Sequence, residues 1–209
     1  MIKAVIFDWG GVLLYNPSIG TKEYCAKRLG VNESKFIKIY DKYEPDFQKG
    51  KISESNFWKK IYENLEIPMS KSKILWNTVL EETYKSNDPV INIAKSLKKQ
   101  GYKIGYLSNT EIPTLDFFKK QNYDFLDVSV FSCIEGYIKP EKEIYEITLK
   151  KLDVKPEEAI FIDDKEIHTK GAKKLGINTI LFSNAENLIK ELQNLGISIV
   201  APLRSNELR

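Results

Sequence analysis

A repeated alternation of helix-like and strand-like segments, from residue 88 onward, constrains the fold most strongly. Each amphipathic stretch ends near a lysine pair, and a short β-branched or aromatic run follows it. The instances are INIAKSLKKQG then YKIGYLS, TLDFFKKQN then DVSVFS, IYEITLKKLD then EEAIFID, and HTKGAKKLG then INTILF. Strands joined by helical crossovers run parallel, with helices on both faces of the sheet. The alternation therefore predicts an α/β fold with a doubly wound parallel sheet.

The chain also begins with a strand-like run, IKAVIF, which leads directly to an aspartate. In doubly wound sheets, ligands bind beyond the carboxyl ends of the strands, so residues that directly follow apolar runs are the candidates for function. These residues are Asp8, Ser108, Asp163 and Asp164.

Residues 16–87 interrupt the alternation, since they hold no strand-like run and several stretches with helical periodicity, such as ESKFIKIYDKY and SESNFWKKIYENL. We predict an α/β core of residues 1–15 and 88–209 and a helical cap of residues 16–87. The cap would lie over the carboxyl edge of the sheet, where it could exclude water and select substrates. Aromatic residues at helical spacing are expected to fill the interior of the cap. They are Phe57, Trp58, Tyr62 and Trp76.

Composition favours a packed, soluble protein. Hydrophobic residues make up 42% of the 209 residues, and no apolar run reaches the roughly 18 residues that a membrane span requires. Cys25 and Cys133 lie far apart, which gives neither a disulfide framework nor a CxxC zinc site. We therefore expect a cytoplasmic monomer or homodimer without a membrane partner.

The net charge of +3 and the pI of about 8.6 raise the possibility of a nucleic-acid partner. Four lysine pairs, however, each close a helix-like segment, where cations complement the negative end of the helix dipole. They lie at residues 98/99, 119/120, 150/151 and 173/174. This placement predicts solvated helix ends and no nucleic-acid binding.

The candidate residues form a set suited to phosphate chemistry. The backbone N–H groups of Gly10 and Gly11, which follow Asp8 and Trp9, can approach an oxyanion because no Cβ obstructs them. Taken alone, Asp8 could equally cap the next turn. The other strand ends favour a site, because the carboxylate pair Asp163 and Asp164 suits Mg²⁺. The remaining groups, Ser108, Asn109, Thr110 and Lys139, are of the kind that binds phosphate oxygens.

Four segments, in this order, resemble the motifs of the haloacid dehalogenase (HAD) superfamily. They are IFDWGGVLL, YLSNT, GYIKPEKEIYE and FIDDKEIHTKGAKKLG. The resemblance extends over almost the whole chain, and the helical insert resembles the small C1-type cap of the family. It implies a Rossmann-like core and a Mg²⁺-dependent phosphatase acting on a small phosphorylated metabolite, such as a sugar phosphate.

The resemblance also implies residue roles. Asp8 would attack phosphorus and form an aspartyl-phosphate, which water then hydrolyses. Mg²⁺ would be held by Asp8, Asp164 and the Gly10 carbonyl, with Asp163 acting through a water. The phosphoryl group would be bound by Gly10, Gly11, Ser108, Asn109 and Lys139.

Gly10 departs from the family pattern, because typical phosphatases of this family have a second aspartate there. A glycine keeps the main-chain carbonyl but cannot protonate the leaving group or activate water. Losing a general acid–base costs about 10²- to 10⁴-fold in rate. The enzyme would therefore favour leaving groups that need little protonation, or use another proton carrier. Glu111 and Tyr15 flank the site and are candidates for that carrier.

His168, the only histidine, follows Asp164 by four residues. Its ring could hydrogen-bond Asp163 or a metal-bound water and partly replace the missing acid–base, or it could be a solvent-exposed residue at a helix start. Trp9 could contact a leaving group or fill the junction between cap and core.

Two other functions remain open from the sequence. A 2-haloacid dehalogenase also uses an aspartate nucleophile but needs no metal, and the Asp163–Asp164 pair argues against it. A degraded family member that only binds phosphate or a partner would explain Gly10. It would not need Asp8, Ser108, Lys139 and Asp164 together.

Overall fold

The predicted alternation of strands and helices is present in the computed structural model, which describes residues 1–16, 20–69, 79–82 and 84–199. The strands are β1 (Ala4–Phe7), β2 (Leu14–Tyr15), β3 (Lys85–Ser86), β4 (Lys103–Ser108), β5 (Val128–Phe131), β6 (Ala159–Asp163) and β7 (Asn178–Leu181). The helices are α1 (Thr21–Leu29), α2 (Glu33–Gln48), α3 (Glu54–Leu65), α4 (Asp88–Lys99), α5 (Thr114–Lys120), α6 (Ser132–Glu135), α7 (Lys142–Leu152), α8 (Glu166–Lys173) and α9 (Ala185–Asn194). Residues 79–82 are also helical.

The main sheet of the described residues has the strand order β5-β4-β1-β6-β7, and every neighbouring pair is parallel. The strand β1 is central, and all four of its residues are buried. Successive side chains of a strand point to opposite faces of the sheet. Val5 and Phe7 accordingly pack with α4 and α9 on one face, whereas Ala4 and Ile6 pack with α7 and α8 on the other. The predicted doubly wound parallel sheet is confirmed.

The lysine pairs lie at helix ends, as predicted. They occupy the last turns of α4, α5 and α7, and Lys173 and Lys174 end α8. Among the described helices, none combines the length and the apolar character needed to cross a bilayer.

Between β2 and β3 the chain forms α1, α2 and α3, which share a hydrophobic cluster of their own. Phe57, Trp58 and Tyr62 lie in this cluster, as expected, whereas Trp76 falls outside the described residues. The helices α2 and α3 begin at Asn32 and Ser53, whose side chains accept hydrogen bonds from the first turn. The absence of strands predicted for residues 16–87 is wrong at one point, because β3 pairs antiparallel with β2.

The pairing of β2 with β3 joins the two ends of the inserted segment. Asn87 reinforces it, since its main-chain N–H donates to the Leu13 carbonyl at 2.9 Å and its side-chain amide donates to the Val12 carbonyl at 2.9 Å. The insert therefore leaves and re-enters the core at one place, directly after the loop that carries Asp8.

Candidate active site

The three central strands of the sheet, β4, β1 and β6, bring predicted site residues to the same edge. Ser108 and Asp163 are the last residues of β4 and β6, and Asp8 directly follows β1. Because parallel strands end at the same edge, residues far apart in sequence become neighbours there. Asp8, Ser108 and Lys139 line a cavity of about 490 Å³ whose other wall comes from the inserted helices.

Lys139 links two of the carboxylates. Its Nζ lies 2.7 Å from Asp8 Oδ1 and 2.6 Å from Asp163 Oδ2, and it also donates to the Leu107 carbonyl at 3.2 Å. The side chain is buried. Burial by itself lowers the pKa of a lysine, but the charges of Asp8 and Asp163 outweigh this effect and raise the pKa of Lys139. Lys139 is therefore a fixed positive charge beside Asp8.

Asp163 has both oxygens engaged by donors of the protein. Besides Lys139, its Oδ1 accepts from the Lys165 main chain at 2.8 Å, and His168 Nδ1 lies 3.0 Å from Oδ2. Burial opposes ionisation, but the charge of Lys139 and the contact with His168 lower the pKa of Asp163 to about 2. Asp163 is therefore an ionised anchor that positions Lys139 and His168.

His168 is buried and hydrogen-bonded, so the interpretation as a solvent-exposed residue is wrong. The alternative, a hydrogen bond to Asp163, is present. The α8 helix begins at Glu166, and its first turn directs the imidazole toward the end of β6. His168 also lines the cavity.

Asp164 has unused capacity for a ligand. Its Oδ2 accepts from the Asn16 side chain at 3.0 Å, whereas its buried Oδ1 has no hydrogen-bond partner among the described residues. One oxygen from each of Asp8, Asp163 and Asp164 can be chosen so that all lie within 4.8 Å of one another. Three carboxylates beside a single lysine leave excess negative charge. A hard divalent cation fits both this charge and the unpaired oxygen.

Gly10 and Gly11 differ in whether the structure has room for a side chain. Gly11 has a φ of 85°, and a Cβ there would lie 2.3 Å from Asp164 Oδ2. Its lack of a side chain is therefore required for Asp164 to reach the site. Gly10 has no positive φ, and a Cβ at this position would meet no described atom within 4 Å. Packing therefore does not explain why a side chain is missing at position 10.

Asn109 holds the main chain of Lys139 in place. Its side-chain amide donates to the Lys139 carbonyl at 3.1 Å, and its Oδ1 accepts from the Lys139 main-chain N–H at 2.7 Å. This pair of bonds fixes the segment that carries Lys139. Ser108, by contrast, is buried at the cavity, and its hydroxyl makes a long 3.5 Å contact to the Asn109 carbonyl, so it can turn toward a ligand.

The wall opposite Asp8 contains a second group of polar side chains. Lys22, Glu44 and Gln48 come from α1 and α2, and Glu111 comes from the loop after β4. The Gln48 amide donates to Glu111 Oε1 at 3.1 Å, and Lys22 lies 2.8 Å from Glu44. Burial, together with the nearby charge of Glu44, raises the pKa of Glu111 to about 7. Tyr15, the other candidate proton carrier, is half exposed and does not line this cavity.

Trp9 is buried where the insert meets the core. Its ring stacks on Tyr84 with centroids 6.3 Å apart, and its Nε1 donates to the Tyr123 hydroxyl at 3.2 Å. Trp9 also lines the cavity, so it fills the junction and presents an edge to any ligand.

Several cavity residues carried no signal in the sequence. They include Asn16, Lys22, Glu44, Gln48 and Tyr84. They lie in or beside helices of the insert, and helical periodicity does not tell which polar residue faces a neighbouring domain. Only the packing of the insert on the sheet brings them to the site.

Carboxylates, a buried lysine and a hydroxyl at the carboxyl edge of a parallel sheet are an arrangement typical of α/β enzymes. The chain belongs to the haloacid dehalogenase-like hydrolase family, whose model matches residues 2–176. The resemblance drawn from the four motifs is confirmed, and so is the assignment as a hydrolase of this family.

Curated relatives match the chain over nearly its whole length. The chain is 30% identical to the mouse (Mus musculus) acyl-CoA dehydrogenase family member 10 over 97% of its own length, but it spans only 20% of that protein. It is 27% identical to the sesquiterpene phosphatase astK of Aspergillus oryzae, covering 92% of this chain and 96% of that one. It is 26% identical to the D-ribitol-5-phosphate phosphatase of Bacteroides thetaiotaomicron, covering 92% and 97%.

Solved structures show the same fold. A HAD family enzyme from Bacteroides thetaiotaomicron superposes with a TM-score of 0.76 at 24% identity, covering 91% of this chain and 98% of that one. The wild-type form of that enzyme in complex with magnesium and inorganic phosphate gives a TM-score of 0.70 at 24% identity, covering 88% and 96%. Magnesium, the cofactor predicted from the carboxylates, is thus bound by a structural relative.

Proposed function

We propose that this protein is a Mg²⁺-dependent phosphomonoester hydrolase that works through an aspartyl-phosphate at Asp8. The observation that carries the proposal is the position of Lys139 between Asp8 and Asp163, beside the unpaired Oδ1 of Asp164. This arrangement offers a nucleophile, a fixed cation and a free metal ligand at one cavity. Relatives named as phosphatases, which match this chain over nearly their whole length, support the same reaction.

In this proposal Mg²⁺ would be held by Asp8, Asp164 and the Gly10 carbonyl, with Asp163 behind them, and it would offset negative charge on the transferring phosphoryl group. A carboxylate oxygen of Asp8 forms a bond to phosphorus while the bond from phosphorus to the leaving oxygen breaks. Lys139 neutralises charge on Asp8 and on the phosphoryl oxygens, and the Ser108 hydroxyl and the N–H groups of Gly10 and Gly11 bind those oxygens. Water then attacks phosphorus, and the bond to Asp8 breaks.

We further propose that residues 16–87 act as the cap that selects the substrate. The cavity wall they contribute is rich in groups that bind hydroxyls, such as Lys22, Glu44 and Gln48. This chemistry favours a small, hydroxyl-bearing phosphomonoester of the sugar-phosphate or polyol-phosphate class. A relative named for a polyol phosphate, D-ribitol 5-phosphate, supports the same class.

The proposal is tested with a panel of phosphomonoesters in the presence of Mg²⁺, measuring phosphate release by wild type and Asp8→Asn. We expect Asp8→Asn to lose at least about 10³-fold in kcat, as removal of a nucleophile does in other enzymes. Asp153→Asn is a matched control, because the side chain of Asp153 is 99% exposed and remote from the cavity. Beryllofluoride with Mg²⁺, which mimics a phosphoryl group on aspartate, should stabilise wild type but not Asp8→Asn. Hydrolysis that survives in Asp8→Asn would overturn the proposed mechanism.

A further inference from the structure

We propose that Glu111 is the proton carrier of this reaction and takes over the task that the family gives to the second aspartate, here replaced by Gly10. The proposal rests on the proposed phosphatase function. It differs from the expectation drawn from Gly10 alone, because an enzyme with its own proton carrier would also hydrolyse esters with poor leaving groups.

The position of Glu111 carries the proposal. The residue lies in the loop between β4 and α5, three positions beyond Ser108, and it lines the same cavity as Asp8 and Gly10. Its side chain is buried at the base of the wall formed by the insert. A leaving group attached to a phosphoryl group at Asp8 would extend into this cavity toward that wall.

The Glu111 carboxyl is held in place but keeps capacity for a proton. Gln48 Nε2 donates to Oε1 at 3.1 Å, and the Thr114 hydroxyl donates to Oε2 at 3.3 Å. Each carboxyl oxygen has two lone pairs, so these two bonds leave room for a proton or for a hydrogen bond from a substrate. Donors on both sides fix the orientation, which general acid–base catalysis requires.

The groups around Glu111 give its carboxyl a pKa suited to proton transfer. Burial raises its pKa to about 7, close to the value at which a group both gives and takes protons near neutral pH. The titratable groups that face it are Glu44 and Tyr40 of α2, Tyr84 before β3, and Cys133 of α6. The charge of Glu44 acts in the same direction as burial, whereas the hydrogen bond from Gln48 opposes it.

Other groups at the cavity are less suited to carry the proton. Glu44 is paired with Lys22 at 2.8 Å. His168 is held at the sheet edge by the contact of its Nδ1 with Asp163, whereas the leaving group would extend toward the insert. Burial raises the pKa values of Tyr40 and Tyr84 above their usual range. Glu111 thus combines a suitable position with a suitable acidity.

Glu111 gives up its proton in the first step and recovers one in the second. In the first step an Asp8 oxygen bonds to phosphorus, the phosphorus–oxygen bond of the ester breaks, and the leaving oxygen takes the electron pair and the proton of Glu111. In the second step the Glu111 carboxylate takes a proton from water, whose oxygen bonds to phosphorus. The bond from phosphorus to Asp8 then breaks, so that inorganic phosphate leaves and both carboxyl groups return to their starting states.

The test compares wild type with Glu111→Gln on aryl and alkyl phosphates that differ in leaving-group pKa. We expect Glu111→Gln to lose about 10²- to 10⁴-fold in kcat on alkyl phosphates and less than about tenfold on p-nitrophenyl phosphate in the bond-breaking step. Single-turnover measurement isolates that step. The ratio of the two rates does not depend on how much of the variant is folded, so partial misfolding cannot produce the effect.

A pH profile and a rescue complete the experiment. For alkyl phosphates the wild-type rate should fall as the pH rises above about 7, since Glu111 must be protonated to act as an acid, and Glu111→Gln should lose this inflection. Gly10→Asp in the Glu111→Gln background should restore alkyl phosphate hydrolysis at least about tenfold, because a Cβ at position 10 would meet no described atom within 4 Å. Glu63→Gln, an exposed change on α3, serves as the control.

The outcomes separate the two proposals. An equal loss on aryl and alkyl phosphates, or a rise in KM with kcat unchanged, would mean that Glu111 binds or positions substrate, and the inference would be overturned. If wild type hydrolyses no phosphomonoester and beryllofluoride does not bind at Asp8, it is the proposed function itself that fails.

Discussion

The Gln48 side chain of α2 donates a 3.1 Å hydrogen bond to the Glu111 carboxyl of the core. This contact is one of several that join the end of α2 to the sheet. The Ser132 hydroxyl donates to the Gln48 carbonyl at 2.6 Å, and Lys49 lies 2.5 Å from Glu141. The wall of the cavity opposite Asp8 is therefore fixed to the loops that follow the strands.

Lys139→Met should be both inactive and unstable. It removes the cation between Asp8 and Asp163, so that these two buried carboxylates face each other without a charge between them to offset their repulsion. Breaking a buried ion pair in this way costs about 3 to 5 kcal/mol. Losing the interaction with the phosphoryl group should lower kcat by about 10²- to 10³-fold. Urea unfolding at pH 7 and a phosphatase assay check the two effects.

Lys173→Met is the control for that experiment, because Lys173 is an exposed residue at the end of α8. It should change the free energy of unfolding by less than about 0.5 kcal/mol. Equal stability of the two variants would contradict the role given to Lys139.

Asp164→Asn should abolish the stabilisation by Mg²⁺. An ion that binds only the folded state adds about 2.7 kcal/mol at a concentration 100 times its Kd. Asp164 offers the site its unpaired oxygen, so its loss should remove most of this gain. Thermal unfolding with and without Mg²⁺, and with a chelator, measures the shift. Asp153→Asn should keep the full shift, and a full shift in Asp164→Asn would place the ion elsewhere.

Gly11→Ala and Gly10→Ala form a matched pair with opposite expected outcomes. At Gly11 the added Cβ would meet Asp164 Oδ2 at 2.3 Å, and the positive φ adds strain of about 1 to 3 kcal/mol. We expect Gly11→Ala to destabilise the protein and to impair Mg²⁺ binding. Gly10→Ala should stay within about 0.5 kcal/mol of wild type, because the position is sterically open. Unfolding curves and Mg²⁺ titration of both variants test this contrast.

Glu111→Gln should be more stable than wild type at alkaline pH. The folded-state pKa of Glu111 is raised to about 7 from its ordinary value of 4.5, so the folded protein holds its proton more tightly than the unfolded chain. The free energy of unfolding of wild type should therefore fall as the pH rises from about 4.5 to about 7, by roughly 3 kcal/mol.

A glutamine at position 111 does not titrate, so the variant should lack this decline. Urea unfolding at several pH values between 4 and 8 compares the two proteins. The Gln48 and Thr114 contacts are common to both variants at low pH, where their stabilities should be most similar. Parallel pH dependences would contradict the raised pKa.

The doubly wound sheet and the residues at its carboxyl edge could be predicted from the amino-acid sequence alone. Buried strands of a parallel sheet are short apolar runs, and the first polar residue after each run must leave the sheet at the ligand-binding edge. Asp8, Ser108 and Asp163 could therefore be selected without coordinates. The spacing of apolar residues also predicted the helices and their lysine-rich ends, since both are local properties of the chain.

The contacts among these side chains, by contrast, depend on how distant parts of the chain pack together. Lys139, Asp163 and His168 come from different structural elements, and their distances depend on how α8 and the loop before α7 pack against the sheet. The same holds for the cavity wall. The predicted helical stretch ESKFIKIYDKY ends before Glu44 and Gln48, and only the packing of α2 on the core brings these two residues to the cavity with Asp8 and Glu111. The raised pKa of Glu111 depends on its burial between α2 and the core, which no local sequence pattern indicates.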